Sequence, residues 1–273
     1  MVGGWPLPAA LVETARRFHR DGGTPVEPRR AATVVLLRDG PDGPLAYLVR
    51  RASTMAFASG MYAFPGGAVD PRDAEVSPGQ AGPSDAEWAR LLGFGADGAA
   101  ARAVVCAAVR ETFEEAGVLL AGPDAGSVVG DVSDDAWESD RRDLAAHRVG
   151  VGALLADRGL VVRGDLLRAW ARWVTPEFEP RRYDASFFVA AVPDGQRARE
   201  VGGEADREVW LRPADAVAGY RSGAMGMLPP TVSVLAALCG FASVADVLAV
   251  SPGPLVPVTP RVVLTDSGAR LVV

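Results

Sequence analysis

The chain has no lysine, so all 28 of its basic residues are arginines. Arginine suits bidentate phosphate recognition, but the chain is also rich in glycine and proline, with 31 and 21 residues, and we interpret the missing lysine as a compositional bias. It therefore identifies no phosphate site. The chain also has fewer basic than acidic residues. The net charge is −6, which argues against a nucleic-acid partner.

Cysteine is scarce, with only Cys106 and Cys239 in the chain. Two cysteines so far apart form no disulfide framework, and we expect both to be free thiols in a reducing compartment. The N-terminal residues lack the basic stretch and following apolar core of a secretory signal peptide. The sequence therefore predicts a cytoplasmic protein.

Charge is missing from residues 225–245, which raises the question of a membrane span. This run contains Pro229, Pro230 and Gly240, which fit two short helices, the first starting near Pro230 and ending before Gly240. We therefore expect no membrane partner. With 49% hydrophobic residues, the chain has enough apolar material for a globular core.

Strand and helix patterns alternate irregularly along the chain. The patterns predict a hairpin over 32–38 and 45–51, a short helix after Ser84, a long helix from Asp97 to Gly117, two short helices within 133–158, strands at 168–174, 184–192 and 207–211, a helix after Pro213, and a hairpin over 261–273. This irregular mixture favours one mixed α/β domain over two.

Three acids lie close together at the end of the long predicted helix. At 100° per residue, Glu111, Glu114 and Glu115 fall within an arc of about 100°. Like charges at these spacings repel, and acids near a helix C-terminus oppose its dipole. A solvated acidic helix end is the simplest interpretation. A hard divalent cation bound by the carboxylates is the alternative, because it would reverse both penalties.

A glycine pair favours the second interpretation. Gly66 and Gly67 follow Phe64-Pro65 at the end of a predicted strand, where the lack of side chains lets the backbone approach a ligand closely.

With these residues in place, the sequence resembles the Nudix hydrolases. Their box reads Gly, five residues, Glu, seven residues, then Arg-Glu-aliphatic-any-Glu-Glu-any-Gly-aliphatic. The second half matches at Arg110, Glu111, Glu114, Glu115, Gly117 and Val118. The first half matches at Gly67, with Asp73 in the glutamate position. The extra residues 74–102 interrupt the box, as in the branch that contains the peroxisomal coenzyme A diphosphatase type and its bacterial relatives.

A second pattern of the coenzyme A-directed branch precedes the box. Its spacing is preserved over Arg51, Gly60 and Phe64-Pro65-Gly66-Gly67, while Ala56 replaces an arginine of the pattern. The resemblance implies substrate contacts by Arg51, Gly60, Phe64 and Gly66. Since Arg50 and Arg51 point to opposite sides of a strand, only one of them can face the cleft, and the pattern selects Arg51.

The resemblance implies an α/β/α sandwich with a mixed β-sheet, whose catalytic loop-helix-loop is interrupted by the insertion. The Nudix domain would cover residues 30–240, with an N-terminal extension over 1–29 and a C-terminal extension over 241–273 packed on the same domain. We expect the loop and short helix over 74–96 to cover the edge of the cleft. A homodimer is also implied by the family.

The implied activity is metal-dependent hydrolysis of a pyrophosphate bond in a small nucleotide. Glu111, Glu114, Glu115 and the Gly67 carbonyl would hold Mg²⁺ or Mn²⁺, with Glu111 or Glu204 as the base. Arg110 would orient Glu111 through a bidentate pair. The leading substrate is coenzyme A or an acyl-coenzyme A, and Ala56 keeps ADP-ribose, a dinucleotide or a nucleotide sugar as alternatives. A non-catalytic nucleotide sensor is the remaining hypothesis.

Overall fold

The computed structural model describes residues 4–52, 59–75, 79–201, 205–250, 253–265 and 268–273. Within these ranges the α-helices are α1 (Ala9–Arg20), α2 (Asp85–Leu92), α3 (Gly98–Ala116), α4 (Asp135–Ala145), α5 (Val151–Asp157), α6 (Pro213–Arg221), α7 (Pro229–Leu238) and α8 (Val244–Leu248). The strands are β1 (Trp5–Pro6), β2 (Arg29–Gly40), β3 (Gly43–Arg51), β4 (Tyr62–Ala63), β5 (Gly66–Ala68), β6 (Gln80–Ala81), β7 (Ala121–Gly122), β8 (Val161–Arg163), β9 (Arg168–Val174), β10 (Tyr183–Ala191), β11 (Ala205–Leu211), β12 (Arg261–Thr265) and β13 (Gly268–Val272).

A mixed sheet forms the middle layer of the molecule. Its strand order is β11-β3-β2-β10-β9, with β4 added to β3 and β5 added to β2. Strand β10 runs parallel to β2, and the other pairs are antiparallel. The predicted mixed sheet is therefore confirmed. Because β5 pairs with β2, Gly67 lies opposite Ala32 in the sheet.

Alternating side chains give this sheet two apolar faces. On β2, Val34 and Leu36 belong to the buried cluster that contains α3, whereas Val35 and Leu37 belong to the cluster that contains α7. This period of two is the expected result when a strand is covered on both faces. Helices therefore lie on both sides of the sheet, and the predicted α/β/α sandwich is confirmed.

Helix α3 runs through the first of these layers and carries the acidic cluster. The Asp97 side chain caps its start by accepting a hydrogen bond from the Ala100 amide at 3.0 Å. Gly117 ends it with a left-handed φ of 61°, as a terminal glycine does in many helices. The first half is rich in alanine and valine and is buried on almost every side. Both predicted ends are confirmed.

The insertion is part of the core. Ser84 caps α2 as predicted, and the fully buried Trp88 contacts Phe188 of the sheet edge to face, with ring centroids 5.7 Å apart. Asp85 forms an ion pair with Arg102 in the second turn of α3. We expected residues 74–96 to cover the cleft edge, but α2 instead packs beside the start of α3. Its apolar face is buried there, whereas a cleft-edge position would leave that face in solvent.

The other predicted elements are present, and the chain termini add one sheet that the patterns did not predict. The hairpin of β2 and β3, helices α4 to α8, strands β9 to β11 and the terminal hairpin of β12 and β13 are confirmed. Strand β1 pairs with β13, with Trp5 opposite Leu271. None of the helices described has the length and apolar character needed to cross a bilayer.

We predict that Trp88→Ala lowers the free energy of unfolding by about 3–5 kcal/mol, because it leaves a large cavity between α2, α3 and the sheet. The exposed Arg90 of the same helix provides the control, and Arg90→Ala should change stability by no more than about 0.5 kcal/mol. Urea unfolding of both variants measures the difference. Equal small effects would mean that α2 is not part of the core.

Candidate active site

The last two turns of α3 bring the acidic cluster against the glycine pair of β5. Glu111 and Glu114 are buried, with side chains 11% and 10% exposed, while Glu115 is half-buried. An added Cβ at Gly67 would lie only 2.4 Å from Oε1 of Glu111, so only glycine lets the strand and the carboxylate come this close. The Gly66 amide donates a hydrogen bond to Oε2 of Glu115 at 3.0 Å. The glycine pair was predicted to let the backbone approach a ligand. In the structure, the backbone at Gly66 and Gly67 approaches Glu111 and Glu115.

Arg110 is the buried centre of this arrangement, and its guanidinium makes five hydrogen bonds. Nε and Nη2 donate to the two oxygens of Asp73 at 2.9 and 3.0 Å. Nη1 donates to Glu111 and to Glu114 at 2.9 and 3.1 Å. Nη2 also donates to the Ala68 carbonyl at 2.9 Å. Arginine has five N–H groups in a fixed plane, and this site uses all of them.

Asp73 is the bidentate partner of Arg110, which corrects the expected bidentate pair with Glu111. Asp73 is 1% exposed and also accepts the Asp70 amide at 2.8 Å, which closes a short helical turn over 71–73. Glu111 accepts a single hydrogen bond from Arg110. As the next residue on the helix, it cannot align both of its oxygens with two guanidinium nitrogens. The position of Asp73 in the box was the available signal for this partner.

The ionisation of the cluster reflects burial opposed by Arg110. Burial raises the pKa of Glu111 to about 7 against the lowering effect of Arg110, and burial also raises the pKa of Glu114. Burial lowers the pKa of Arg110, but the surrounding carboxylates outweigh it and raise that pKa above its ordinary value. Three carboxylates therefore share a site with one neutralising guanidinium, and the site has a deficit of positive charge.

A divalent cation fits this donor set. Oε1 of Glu114 is buried and has no hydrogen-bond partner among the described residues, an arrangement that costs free energy unless another group binds there. Carboxylate and carbonyl oxygens are the ligands that Mg²⁺ and Mn²⁺ prefer. Within the described ranges, no three His, Cys, Asp or Glu side chains already stand together as a metal-binding group. The acids are instead directed toward Arg110 and the Gly66 amide.

The residues predicted to contact substrate lie in different surroundings. Arg51 is half-buried at the end of β3, on the face of the sheet that carries α3, since it alternates with Val49 and Tyr47. Gly60 forms a left-handed turn with φ of 72°, and its amide bonds the Arg51 carbonyl. Phe64 is 4% exposed and packs in the cluster on the opposite face. Glu204 and Ala56 lie outside the described residues.

Two residues outside the Nudix box form a pair on the face of the sheet that carries α3. The Tyr47 hydroxyl, on β3, donates a hydrogen bond of 2.8 Å to Oε2 of Glu208, on β11. Burial and Glu208 raise the pKa of Tyr47, and the charges of Glu200 and Glu115 raise it further. The only sequence signal for Glu208 was its spacing of two residues from Trp210. This spacing predicts that both side chains lie on the same face of the sheet, but it does not tell which of the two faces that is.

Three aromatic residues on β9 and β10 belong to the core of the protein. Trp173, Phe187 and Phe188 are 7%, 5% and 0% exposed. Near the first of them, Arg172 pairs in a bidentate manner with Asp184 at 2.7 Å, which joins β9 to β10. These positions therefore stabilise the sheet on which the site is built.

The chain resembles known proteins over most of its length. The family model of the NUDT19 Nudix domain matches residues 97–238, which include the acids of α3. Acyl-coenzyme A diphosphatase NUDT19 of Gallus gallus is 26% identical over 80% of this chain and 70% of its own length. Putative nudix hydrolase 7 of Caenorhabditis elegans is 26% identical over 70% of this chain and 54% of its own.

A solved structure shares the fold. The Nudix hydrolase from Alicyclobacillus acidocaldarius superposes with a TM-score of 0.68 at 32% identity, covering 84% of this chain and 99% of that one. The similarity extends well beyond the interrupted box, because it takes in nearly all of that chain.

We predict that Asp73→Asn lowers the free energy of unfolding by about 3 kcal/mol, because it removes the charge that faces two nitrogens of a buried arginine. Asp157→Asn, at an exposed position on α5, is the matched control and should change stability by no more than about 0.5 kcal/mol. Chemical denaturation measures both. A loss of less than about 1 kcal/mol for Asp73→Asn would show that Glu111 and Glu114 alone neutralise Arg110.

Proposed function

The chain belongs to the Nudix family, through its NUDT19-type domain, and from this premise we propose that it hydrolyses the diphosphate bond of coenzyme A or an acyl-coenzyme A. The products are 3′,5′-ADP and phosphopantetheine or its acyl derivative. The observation that carries the proposal is the carboxylate array of α3, held by Arg110 and pressed against Gly67. The similarity to the acyl-coenzyme A diphosphatase of Gallus gallus supports the choice of substrate.

In this proposal the reaction depends on Mg²⁺ or Mn²⁺, which Glu111, Glu114, Glu115 and the Gly67 carbonyl would hold. When bound, such an ion neutralises phosphate charge and lowers the pKa of a coordinated water. Arg110 contacts no substrate. It holds Glu111 and Glu114 at the end of α3, and the Gly66 amide holds Glu115. The protein thereby orients its acids before substrate arrives, which removes that ordering cost from the reaction.

The substrate side of the site is assigned to Arg51 and to the described residues Gly60, Phe64 and Gly66. Arg51, on the face that carries α3, supplies a guanidinium for the diphosphate or the 3′-phosphate. Gly60 and Phe64 shape the segment through a left-handed turn and a buried ring, and Gly66 lets the backbone approach β2. An added Cβ at Gly66 would lie 2.4 Å from the Ala32 carbonyl oxygen, so this position requires glycine.

A second substrate class is favoured by one sequence feature. Ala56 stands where the coenzyme A-directed pattern has an arginine, so one charge for the 3′-phosphate is missing. ADP-ribose, a dinucleotide or a nucleotide sugar lacks that phosphate and would not need the charge. The chemistry at the diphosphate is the same for all of these compounds.

We predict that the purified protein with Mg²⁺ or Mn²⁺ cleaves coenzyme A and acetyl-coenzyme A faster than ADP-ribose or diadenosine polyphosphates. Product identification by mass spectrometry gives the bond cleaved. Turnover of none of these compounds would contradict the enzymatic assignment and leave the nucleotide sensor. A preference of about tenfold or more for ADP-ribose, equal to about 1.4 kcal/mol of transition-state binding, would contradict the coenzyme A assignment alone.

We also predict that Glu114→Gln and Glu115→Gln each reduce kcat by about 100-fold or more, since each removes a charge from the array that neutralises the transition state. Mg²⁺ should raise the melting temperature of the wild type, because it binds the folded chain, and should raise that of the two variants less. Glu13→Gln, at an exposed site on α1, is the control for both measurements. Near-normal activity of either variant would contradict the metal assignment.

A further inference from the structure

Glu208 lies on the edge strand of the sheet, on the face that carries α3. In β11 the register shifts between Ala205 and Arg207, and beyond this bulge Glu208 lies opposite Val49 of β3. Val49 packs in the cluster that contains α3, and Trp210, two residues along β11, packs against the same cluster. Without the shift, Glu208 would point to the other face, because strand side chains alternate.

The Glu208 carboxylate is fixed on one side and open on the other. Its Oε2 accepts hydrogen bonds from the Tyr47 hydroxyl, at 2.8 Å, and from the Glu200 amide. Tyr47 is 0% exposed, so it is a rigid donor. No hydrogen bond joins Oε1 to any other described residue, and the side chain is exposed to solvent. This carboxylate is therefore oriented by the protein, and its Oε1 has no hydrogen-bond partner among the described residues.

Glu208 lies on the same face of the sheet as α3, which carries the acidic cluster. The Tyr47 hydroxyl donates its hydrogen bond to Glu208, while the charges of both Glu208 and Glu115 raise the pKa of Tyr47. Glu115 is bound at Gly66 of β5, and β5 lies on β2, next to β3. An edge strand and a helix thus contribute acids to the same face of the sheet.

We propose that Glu208 is a catalytic residue whose Oε1 orients the attacking water and takes its proton. This inference rests on the proposed pyrophosphate hydrolysis. As the water oxygen bonds to phosphorus, its O–H bond breaks and the proton moves to Oε1. The bridging P–O bond breaks, and its electron pair stays on the departing phosphate. Glu208 then releases the proton to solvent, which its exposed position permits.

Glu208 is better arranged for this task than Glu111. Oε1 of Glu111 accepts from Arg110 and lies against Gly67, so this oxygen is already occupied by the protein. Glu208 has an oriented carboxylate, an Oε1 with no partner in the described ranges, and access to solvent. An oriented carboxylate that can exchange its proton with solvent suits the role of a general base.

The test separates proton transfer from simple support of the strand. Glu208→Gln keeps an amide oxygen that can accept from Tyr47 and Glu200, but it loses the basic carboxylate. We expect kcat on the preferred substrate to fall by about 100-fold or more, with KM within about threefold and an unchanged melting temperature. Glu208→Ala should be equally slow and should recover activity when formate is added.

Two further variants complete the experiment. Tyr47→Phe removes the orienting hydroxyl and keeps the base, so kcat should fall by about tenfold, less than in Glu208→Gln. Asp206→Asn is the matched control, because Asp206 lies in the bulge of the same strand and pairs with Arg50 at an exposed site. Its kcat and KM should equal those of the wild type.

The outcomes distinguish this inference from the proposed function. If the wild type hydrolyses its substrate and Glu208→Gln does so at a rate within about threefold, Glu208 only supports the strand and the inference is wrong. A lack of formate rescue in Glu208→Ala would also contradict proton transfer. If the wild type cleaves none of the pyrophosphates, the proposed function and the role of Glu208 fall together.

Discussion

The candidate site depends on one buried arginine. Arg110 joins the end of α3 to Asp73, to β5 through the Ala68 carbonyl, and to two acids of its own helix. A buried charge is tolerated only when it is paired and hydrogen-bonded, and here every N–H of the guanidinium has an acceptor. Strand, turn and helix are therefore held at fixed distances, and the carboxylates keep their positions although they repel one another.

Local patterns predicted α3 almost completely. Its start and end follow from Asp97 and Gly117, which act on the backbone within one helical turn. The β-branched and aromatic runs of β2 and β3, on either side of a segment rich in glycine and proline, likewise predicted the central hairpin. Features decided by neighbours in sequence were thus accessible to sequence analysis.

Features that depend on contacts between residues far apart in the sequence could not be predicted. The partner of Arg110 is 37 positions away, and the adjacent Glu111 was the more obvious candidate. The position of Glu208 depends on a register shift in β11, and the residue types of this strand do not predict that shift. The place of α2 in the core depends on Trp88 meeting Phe188, a contact across 100 positions of sequence. Motif spacing indicates which residues share a site, but tertiary packing decides which atoms meet.

The ion pair between Asp73 and Arg110 also bears on how the interrupted box stays functional. The pair joins the two ends of the intervening segment, so the geometry of the acids is set at its closure and not along its length. Thirty-six residues separate the partners, where the uninterrupted pattern has seven. The added loop-closure entropy costs only about 1.5 kcal/mol, which one buried Trp88 can offset. The two halves of a motif that is interrupted in sequence can therefore lie together in space. The length of the intervening segment then has little effect on the positions of the acids.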